Sequence, residues 1–274
     1  MQKVKANGAE IPVLGFGTYR LPEGDAERMV LHALGVGYRH VDTAQMYGNE
    51  AGVGRALESS GVGREEVFLT TKVWPDRFRH DDLLNSVDES LRRLRTEYVD
   101  LLLLHWPNPE VPLEETIGAL NEVRSAGKTR HIGVSNFTTK LVERAVSLSE
   151  APLVTDQVEY HPYLDQSKLL GKLRSEGMAL TAYSPLAKGR VQEDETLREI
   201  GSSHGKSPGQ VALRWLIQQE GVVAIPKTAN PGRAEENFDI FDFELSQEEM
   251  ERISSLARPD GRITSPAGLA PEWD

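Results

Sequence analysis

The sequence contains no cysteine. That absence removes a disulfide framework, a thiolate zinc site, an iron–sulfur cluster and a cysteine nucleophile. Basic residues are outnumbered as well: 31 Lys and Arg stand against 42 Asp and Glu, for a formal net charge of −11. So acidic a chain argues against nucleic acid as a partner, because phosphates are neutralised by surplus Lys and Arg. An anionic membrane surface repels it for the same reason. Long apolar runs are missing: Leu101–Leu104 falls far short of the ~20 residues a spanning helix needs. The first residues, Met1–Gly8, lack the apolar core of a signal peptide, so the expectation is a soluble cytoplasmic protein. No Pro/Gly/Ser-rich linker, Walker loop, H-E-x-x-H or G-x-S-x-G occurs. With 39% hydrophobic and 27% charged residues, the 274-residue chain is globular in composition. Without a linker it reads as one domain over 1–274.

What is present is an alternation of short apolar runs with helix-like segments. Val4-Lys5-Ala6, Asn7-Gly8 and Glu10-Ile11 read as a hairpin, since Asn-Gly suits a two-residue type I′ turn. Eight strand candidates follow: Val13–Phe16, Arg39–Val41, Val67–Thr71, Val99–Leu104, Arg130–Val134, Leu153–Val158, Ala179–Ala182 and Val222–Ile225. Most are continuously apolar, the pattern of parallel strands buried on both faces. Helical spacing appears over Asp25–Leu34, Asp81–Leu94, Leu113–Arg124, Thr138–Leu148, Asp165–Ser175, Pro208–Gln219, Arg233–Phe238 and Gln247–Leu256. Ser207 before Pro208 and the capping box Ser246 to Glu249 mark two of the starts. This alternation predicts an α/β protein, a (β/α)8 TIM barrel with an N-terminal β-hairpin over 1–12 and a short C-terminal extension over 258–274. An open doubly wound sheet is the competing fold, but Gly15-Phe16-Gly17-Thr18-Tyr19-Arg20 lacks the third glycine that such a sheet carries after its first strand.

Barrel chemistry is built at the C-terminal ends of the strands. The residues there are Thr18, Asp42, Lys72, His105, Ser135-Asn136, Gln157, Tyr183 and Lys227, every one of them polar or charged. Asp42, Lys72 and His105 close three successive strands, and Tyr47 lies just beyond Asp42. An Asp–Lys pair beside a phenol is expected to lower the phenol's pKa from its ordinary ~10 and make Tyr47 a general acid. His105 would orient a carbonyl opposite it. The reaction class that fits is metal-free carbonyl reduction with hydride from a nicotinamide. A metal-dependent hydrolase would want several His or carboxylates converging on one ion. Of the seven histidines only His105 stands at a strand's C-terminal end. His40 and His131 lie near strand starts, and Tyr160-His161-Pro162 reads as a loop, so no metal site is expected.

These residues sit inside longer signatures. Gly37-Tyr38-Arg39-His40-Val41-Asp42-Thr43-Ala44 with Tyr47-Gly48-Asn49-Glu50 and Val53-Gly54 resembles the first motif of the aldo-keto reductase superfamily. Thr70–Trp74, Leu104–Pro107, Ile132–Phe137 and Ile225–Thr228 with Arg233, Glu236 and Asn237 resemble its later landmarks, so the resemblance spans nearly the whole chain. The resemblance implies NADPH as cofactor and Tyr47 as proton donor, tuned by Lys72 and Asp42, with His105 orienting the carbonyl. It implies Ser135, Asn136 and Gln157 on the nicotinamide carboxamide, Tyr183 stacked on the ring, and Gly17 and Thr18 lining the site beneath it. Ser184, Pro185, Leu186, Ala187, Lys188 and Gly189 would follow the pyrophosphate. Lys227, Thr228 and Arg233 would hold the 2′-phosphate, and Glu236 and Asn237 the adenine. Two cations and a hydroxyl after one strand suit a phosphate monoester on physical grounds as well.

The short tail from Asp260 to Asp274 is similar to that of the prokaryotic 2,5-diketo-D-gluconate reductase and methylglyoxal reductase branch. Tyr19, Trp74, Trp106 and Trp273 would then wall the substrate pocket with Tyr47 and His105, while Trp215, inside a helix, reads as core. The expected activity is NADPH-dependent reduction of aldehydes and ketones: small α-dicarbonyls such as methylglyoxal and sugar-derived ketones such as 2,5-diketo-D-gluconate. The alternative is a non-catalytic NADPH-binding subunit that senses redox state. A complete tetrad and no partner-binding extension argue against it. The expected partner is the small carbonyl substrate alone, bound by a monomer.

Overall fold

A computed structural model of the chain covers residues 1–274. Strands β1 (Lys3–Ala6) and β2 (Ala9–Pro12) pair antiparallel as the expected hairpin. Its turn takes φ of 45° at Asn7 and 88° at Gly8, the left-handed pair a type I′ turn requires. The Asn7 side-chain amide also donates to the carbonyls of Leu153 at 2.7 Å and Glu176 at 2.9 Å, which fastens the hairpin to the rest of the chain.

Eight parallel strands then run in sequence order around one sheet. They are β3 (Phe16–Gly17), β4 (His40–Asp42), β5 (Phe68–Val73), β6 (Val99–Leu104), β7 (Thr129–Ser135), β8 (Leu153–Glu159), β9 (Ala179–Tyr183) and β10 (Val222–Ala224). A parallel bridge from Leu14 to Ala224 joins the first run to the last. Gly15 N–H donates to the Ala224 carbonyl at 2.8 Å and Ala224 N–H to that of Val13 at 2.9 Å, so the sheet curls onto its own starting edge. Val13 and Leu14 thus belong to the seam, and β3 itself is shorter than expected.

The helices are α1 (Glu23–Val36), α2 (Glu50–Ser59), α3 (His80–Leu94), α4 (Leu113–Ser125), α5 (Thr139–Leu148), α6 (Ser167–Ser175), α7 (Glu195–His204), α8 (Pro208–Gln218), α9 (Pro231–Phe238) and α10 (Gln247–Ser254). Caps define the starts: Thr138, Ser207 and Ser246 accept from the third helical N–H of α5, α8 and α10. Two of the helices, α2 and α7, are absent from the periodicity reading. In α2 the reason is Gly52 and Gly54, which break the apolar pattern and weaken helix propensity. They are there for close packing: a Cβ at Gly52 would lie 2.2 Å from the Glu23 carbonyl oxygen, and one at Gly54 would lie 2.5 Å from that of Arg93.

Along β6 successive side chains face opposite ways. Leu102 and Leu104 join the large core shared with the helices. Leu101 and Leu103 instead pack inside the barrel with Val154, Ala179 and Val223, where Ala6, Ala9 and Ile11 of the hairpin cover them. The hairpin therefore plugs the N-terminal end, and the opposite end is the mouth. The tail beyond Arg258 is tied beside that mouth by the Ile263 and Thr264 N–H groups, each 2.7 Å from a carboxylate oxygen of Glu159. Trp215 is core as expected, at 3% exposure. No helix is long and apolar enough to cross a membrane, and no cluster of three or more His, Cys, Asp or Glu side chains is arranged to hold a metal.

Candidate active site

Three of the polar strand-end residues, Asp42, Lys72 and His105, converge at the mouth with Tyr47. Lys72 and Asp42 lie at the C-terminal ends of neighbouring strands β5 and β4, at 0% and 2% exposure. Lys72 Nζ donates to Asp42 Oδ1 at 2.6 Å, to the Thr43 carbonyl at 2.8 Å and to Tyr47 Oη at 3.5 Å. One ammonium thus bridges the carboxylate and the phenol. His105, next after β6, meets the Tyr47 ring edge-on with centroids 5.7 Å apart. The imidazole Nδ1 is buried without a protein partner.

The electrostatics correct one expectation. Burial raises the Tyr47 phenol well above its ordinary value of 10.0, and Asp42 raises it further. The net direction is upward although Lys72 Nζ lies 3.5 Å from the phenol oxygen, because Asp42 at 2.6 Å offsets most of the field that the ammonium puts on the phenol. Burial likewise lowers the Lys72 ammonium, against the pull of Asp42. His105 is held well below 6.5, chiefly by burial and then by Lys72. At neutral pH the site therefore presents a phenol that keeps its proton and an imidazole that stays uncharged.

A hydrogen-bonded chain links this cluster to the next strands. Gln157 Nε2 donates to Asp42 Oδ2 at 2.7 Å, and Ser135 Oγ donates to the Gln157 carbonyl at 2.7 Å. Asn136 Nδ2 donates to the His105 carbonyl at 2.9 Å and Tyr183 Oη donates to Asn136 Oδ1 at 2.8 Å. Asn136 takes φ of 64° to do so. Ser135, Asn136, Gln157 and Tyr183 are thus brought together around the tetrad. Thr18 closes the other side, donating through N and Oγ1 to the Asp42 carbonyl at 3.0 and 3.1 Å. Gly17 N–H donates to the Pro226 carbonyl at 2.9 Å, beside the strand that leads to Lys227.

After Tyr183 the backbone is unusual. Ser184, Ala187 and Lys188 all have positive φ, at 50°, 47° and 55°, ahead of Gly189 at 93°. Non-glycine residues held there are strained and mark functional loops. Pro185 and Leu186 lie within the same turn. Lys188 Nζ donates to the Ile263 carbonyl at 3.0 Å, so its side chain ties the tail. Lys227 and Arg233 are exposed, and neither makes an ion pair. Thr228 is buried between them and accepts from Asn230 N–H at 3.0 Å. Asn230 in turn caps α9, placing Arg233 in its first turn. Glu236 accepts from Ser207 Oγ, and Asn237 is buried.

Aromatic side chains ring the entrance. Tyr19, 45% exposed, lies 5.0 Å from the Tyr47 ring, and Trp74 meets His105 at 5.1 Å. Trp106 packs against Trp273 of the tail at 6.2 Å.

This chain matches the model of the aldo/keto reductase family over residues 13–258. It belongs to the aldo/keto reductase family. Methylglyoxal reductase DkgB of Escherichia coli O157:H7 is 43% identical over 267 residues, covering 96% of this chain and 99% of that one. Glyoxal reductase of Bacillus subtilis is 42% identical over 255 residues, covering 93% and 92%. A crystal structure provisionally described as a 2,5-diketo-D-gluconic acid reductase B superposes with a TM-score of 0.99 at 60% identity, covering 100% of this chain and 98% of that one. A Bombyx mori aldo-keto reductase solved in complex with NADP matches with a TM-score of 0.87 at 34% identity, covering 93% and 92%. As an aldo/keto reductase the protein is an oxidoreductase that reduces carbonyl groups.

Several residues that shape this aldo/keto reductase site escape a strand-end reading. Asn49 Nδ2 donates to the Thr18 and Leu21 carbonyls at 2.9 and 3.0 Å, pinning the loop that carries Tyr47. Gln45 Nε2 donates to Ser86 and Ser90 of α3 while its Oε1 accepts from Trp74 N–H at 3.2 Å. Glu159, fully buried, clamps the tail. Asn49 stands in Tyr47-Gly48-Asn49-Glu50, where residue type alone gives it no role. Gln45 and Glu159 carry no local signal, because their partners lie far away in sequence.

Proposed function

We propose that the protein is an NADPH-dependent reductase of aldehydes and ketones, with small α-dicarbonyls such as methylglyoxal and sugar-derived ketones such as 2,5-diketo-D-gluconate as its substrates. The observation that carries this reading is the buried Lys72–Asp42 pair 3.5 Å below the Tyr47 phenol, with an uncharged His105 facing it. The names of the similar reductases support the substrate class. We take residues 1–274 as one catalytic domain acting as a monomer.

The residues present fit a phosphorylated dinucleotide. Lys227 and Arg233 are cations without an ion-pair partner beside the Thr228 hydroxyl, the donor set a 2′-phosphate takes. The left-handed turn Ser184–Gly189 follows the Tyr183 ring, as a pyrophosphate cradle beside a nicotinamide platform would. Ser135, Asn136 and Gln157 would hold the carboxamide, Gly17 and Thr18 the floor, and Glu236 and Asn237 the adenine. When bound, NADPH supplies the hydride.

Tyr47 and His105 would receive the carbonyl oxygen between them. As negative charge develops there, Tyr47 Oη transfers its proton to the oxygen and becomes a phenolate. Lys72 Nζ, already directed at that oxygen, stabilises the phenolate, and Asp42 holds Lys72 in place. The neutral His105 orients the carbonyl without competing for the proton. Tyr19, Trp74, Trp106 and Trp273 exclude water around the reacting atoms. The phenolate regains its proton from solvent before the next turnover.

The test mixes the protein with methylglyoxal and either NADPH or NADH and follows the loss of reduced-nicotinamide absorbance. Turnover with preference for NADPH is expected. No turnover over a panel of aldehydes and diketones would sink the reductase reading. Equal use of NADH would sink the phosphate assignment to Lys227 and Arg233.

A further inference from the structure

Tyr47 is carried by little structure of its own. It ends a three-residue 3₁₀ turn, Gln45–Tyr47, whose middle residue Met46 is 43% exposed. Gly48 follows in the left-handed region, at φ of 66°. Turns this short have poor internal hydrogen bonding and do not fix themselves. The phenol oxygen meets one protein donor, Lys72 Nζ, at 3.5 Å, the outer edge of a hydrogen bond. Lys72 is itself fixed by Asp42 and the Thr43 carbonyl. The donor and the ammonium therefore stay in register only if the Tyr47 segment is fastened to β5, the strand that bears Lys72.

Two side chains fasten it, one on each side of Tyr47. Gln45 Oε1 accepts from Trp74 N–H at 3.2 Å, two residues beyond Lys72. Glu50 Oε1 accepts from Thr71 Oγ1 at 2.6 Å, one residue before Lys72. Glu50 and Thr71 are both buried, so water does not compete for that bond. Helix α3 holds the two side chains from behind. Gln45 Nε2 donates to Ser86 Oγ and Ser90 Oγ at 3.1 Å each, and Arg93 Nε donates to Glu50 Oε2 at 2.9 Å. Positions 86, 90 and 93 share one face of the helix. Ser86 and Ser90 are buried there, where a hydroxyl without a partner is unfavourable, and the Gln45 amide meets both. A polar stripe on α3 thus backs the loop that carries the proton donor. The Glu50 charge also works, after that of Asp42, against loss of the Lys72 proton.

We propose that Glu50 is a positioning residue for proton donation: its bond to Thr71, with Gln45 at the other end of the turn, sets Tyr47 Oη against Lys72 Nζ. Glu50 touches neither the phenol nor the reacting atoms and acts through Tyr47 alone. A donor displaced by an ångström loses much of its effect, so the brace governs the rate of the chemical step and not the binding of either reactant. This inference rests on the reductase reading above and adds a residue to its proton-donating step.

The test reads the single-turnover oxidation of bound NADPH at saturating methylglyoxal, which leaves product release out of the rate. Glu50→Leu and Thr71→Val each break the bond and should slow this step about 10- to 100-fold, as a misplaced donor does. Glu50→Gln keeps an oxygen for Thr71, and Thr71→Ser keeps the hydroxyl, so both should stay within about threefold of wild type. NADPH affinity by fluorescence titration should stay within about twofold in all four variants. The deciding arm repeats Glu50→Leu and Thr71→Val in a Tyr47→Phe background. There the residual rate should fall less than about twofold further, because the brace acts through the missing hydroxyl. Undiminished losses in that background would show that the bond only holds the fold. A loss in Glu50→Gln equal to that in Glu50→Leu would show that charge beside Lys72 matters and position does not. Either result, or no slowing in Glu50→Leu and Thr71→Val, overturns the proposal while wild-type turnover of methylglyoxal leaves the reductase reading standing. If Glu50→Leu does not fold, Thr71→Val carries the same comparison. A wild type inactive on every carbonyl overturns both.

Discussion

Replacing Lys72 by Met removes one half of an ion pair that water does not reach. Lys72 is at 0% exposure and Asp42 at 2%. In the variant the Asp42 carboxylate keeps only the Gln157 amide as a side-chain donor. Breaking a buried pair from one side costs about 3–5 kcal/mol, because the remaining charge is left desolvated and uncompensated. In a chain of this size 1 kcal/mol moves the melting midpoint by roughly 2–4 °C, so a fall of about 6 °C or more is expected. The double variant Asp42→Asn/Lys72→Met removes both charges and leaves an amide oxygen to accept from Gln157. It should recover most of the loss. The assay is urea denaturation at pH 7 with Lys72→Met, Asp42→Asn and the double variant compared in one cycle. A loss under about 1 kcal/mol, or a double variant no more stable than Lys72→Met, would refute the view that Asp42 depends on Lys72 inside the barrel.

The pH profile of reduction gives a second check. The Tyr47 phenol is raised above 10.0 and so gives up its proton only beyond that value, while the His105 imidazole is lowered below 6.5 and becomes charged only under acid conditions. Between those limits kcat/KM should be flat, and Tyr47→Phe should lower it about 10²- to 10⁴-fold with NADPH affinity retained. An inflection near neutral pH that disappears in His105→Gln would contradict the assignment. Two glycine substitutions separate packing from propensity. Gly52→Ala places a Cβ 2.2 Å from the Glu23 carbonyl and should destabilise by about 1–3 kcal/mol or more, whereas Gly35→Ala, with nothing within 4 Å, should stabilise by up to about 1 kcal/mol. Thermal melts of the two variants side by side check both signs.

The strand ends were readable because a two-sided buried strand is a continuous apolar run, and its chemistry begins where that run stops. Val99–Leu104 followed by His105 is the clearest instance, and the observed strand has the same bounds. Helices with strong periodicity or caps, such as His80–Leu94 and Pro208–Gln218, were readable for a similar local reason. The helix Glu50–Ser59 was not, because its glycines answer to α1 and α3, which no window of its own sequence contains. Tyr47 could be proposed as a donor from its place after Asp42, but the direction of its pKa could not be read. That direction depends on how completely Asp42 neutralises Lys72 and how far burial desolvates the phenol.

By itself, then, the sequence determined the order of eight strand–helix units, the polar residue that ends each strand, and a family signature carried by those same residues. Local periodicity and short motifs encode all three. The tertiary structure alone decided what barrel closure brings together. It joined Leu14 to Ala224, set Lys72 between Asp42 and Tyr47, and laid the tail beside the mouth so that Arg262 stands unpaired against Trp273. These outcomes rest on contacts between residues far apart in the chain and on the burial they create, which a local pattern does not record. The missing cysteines fit that division: closure and a desolvated ion pair, with no covalent or thiolate chemistry, build the site.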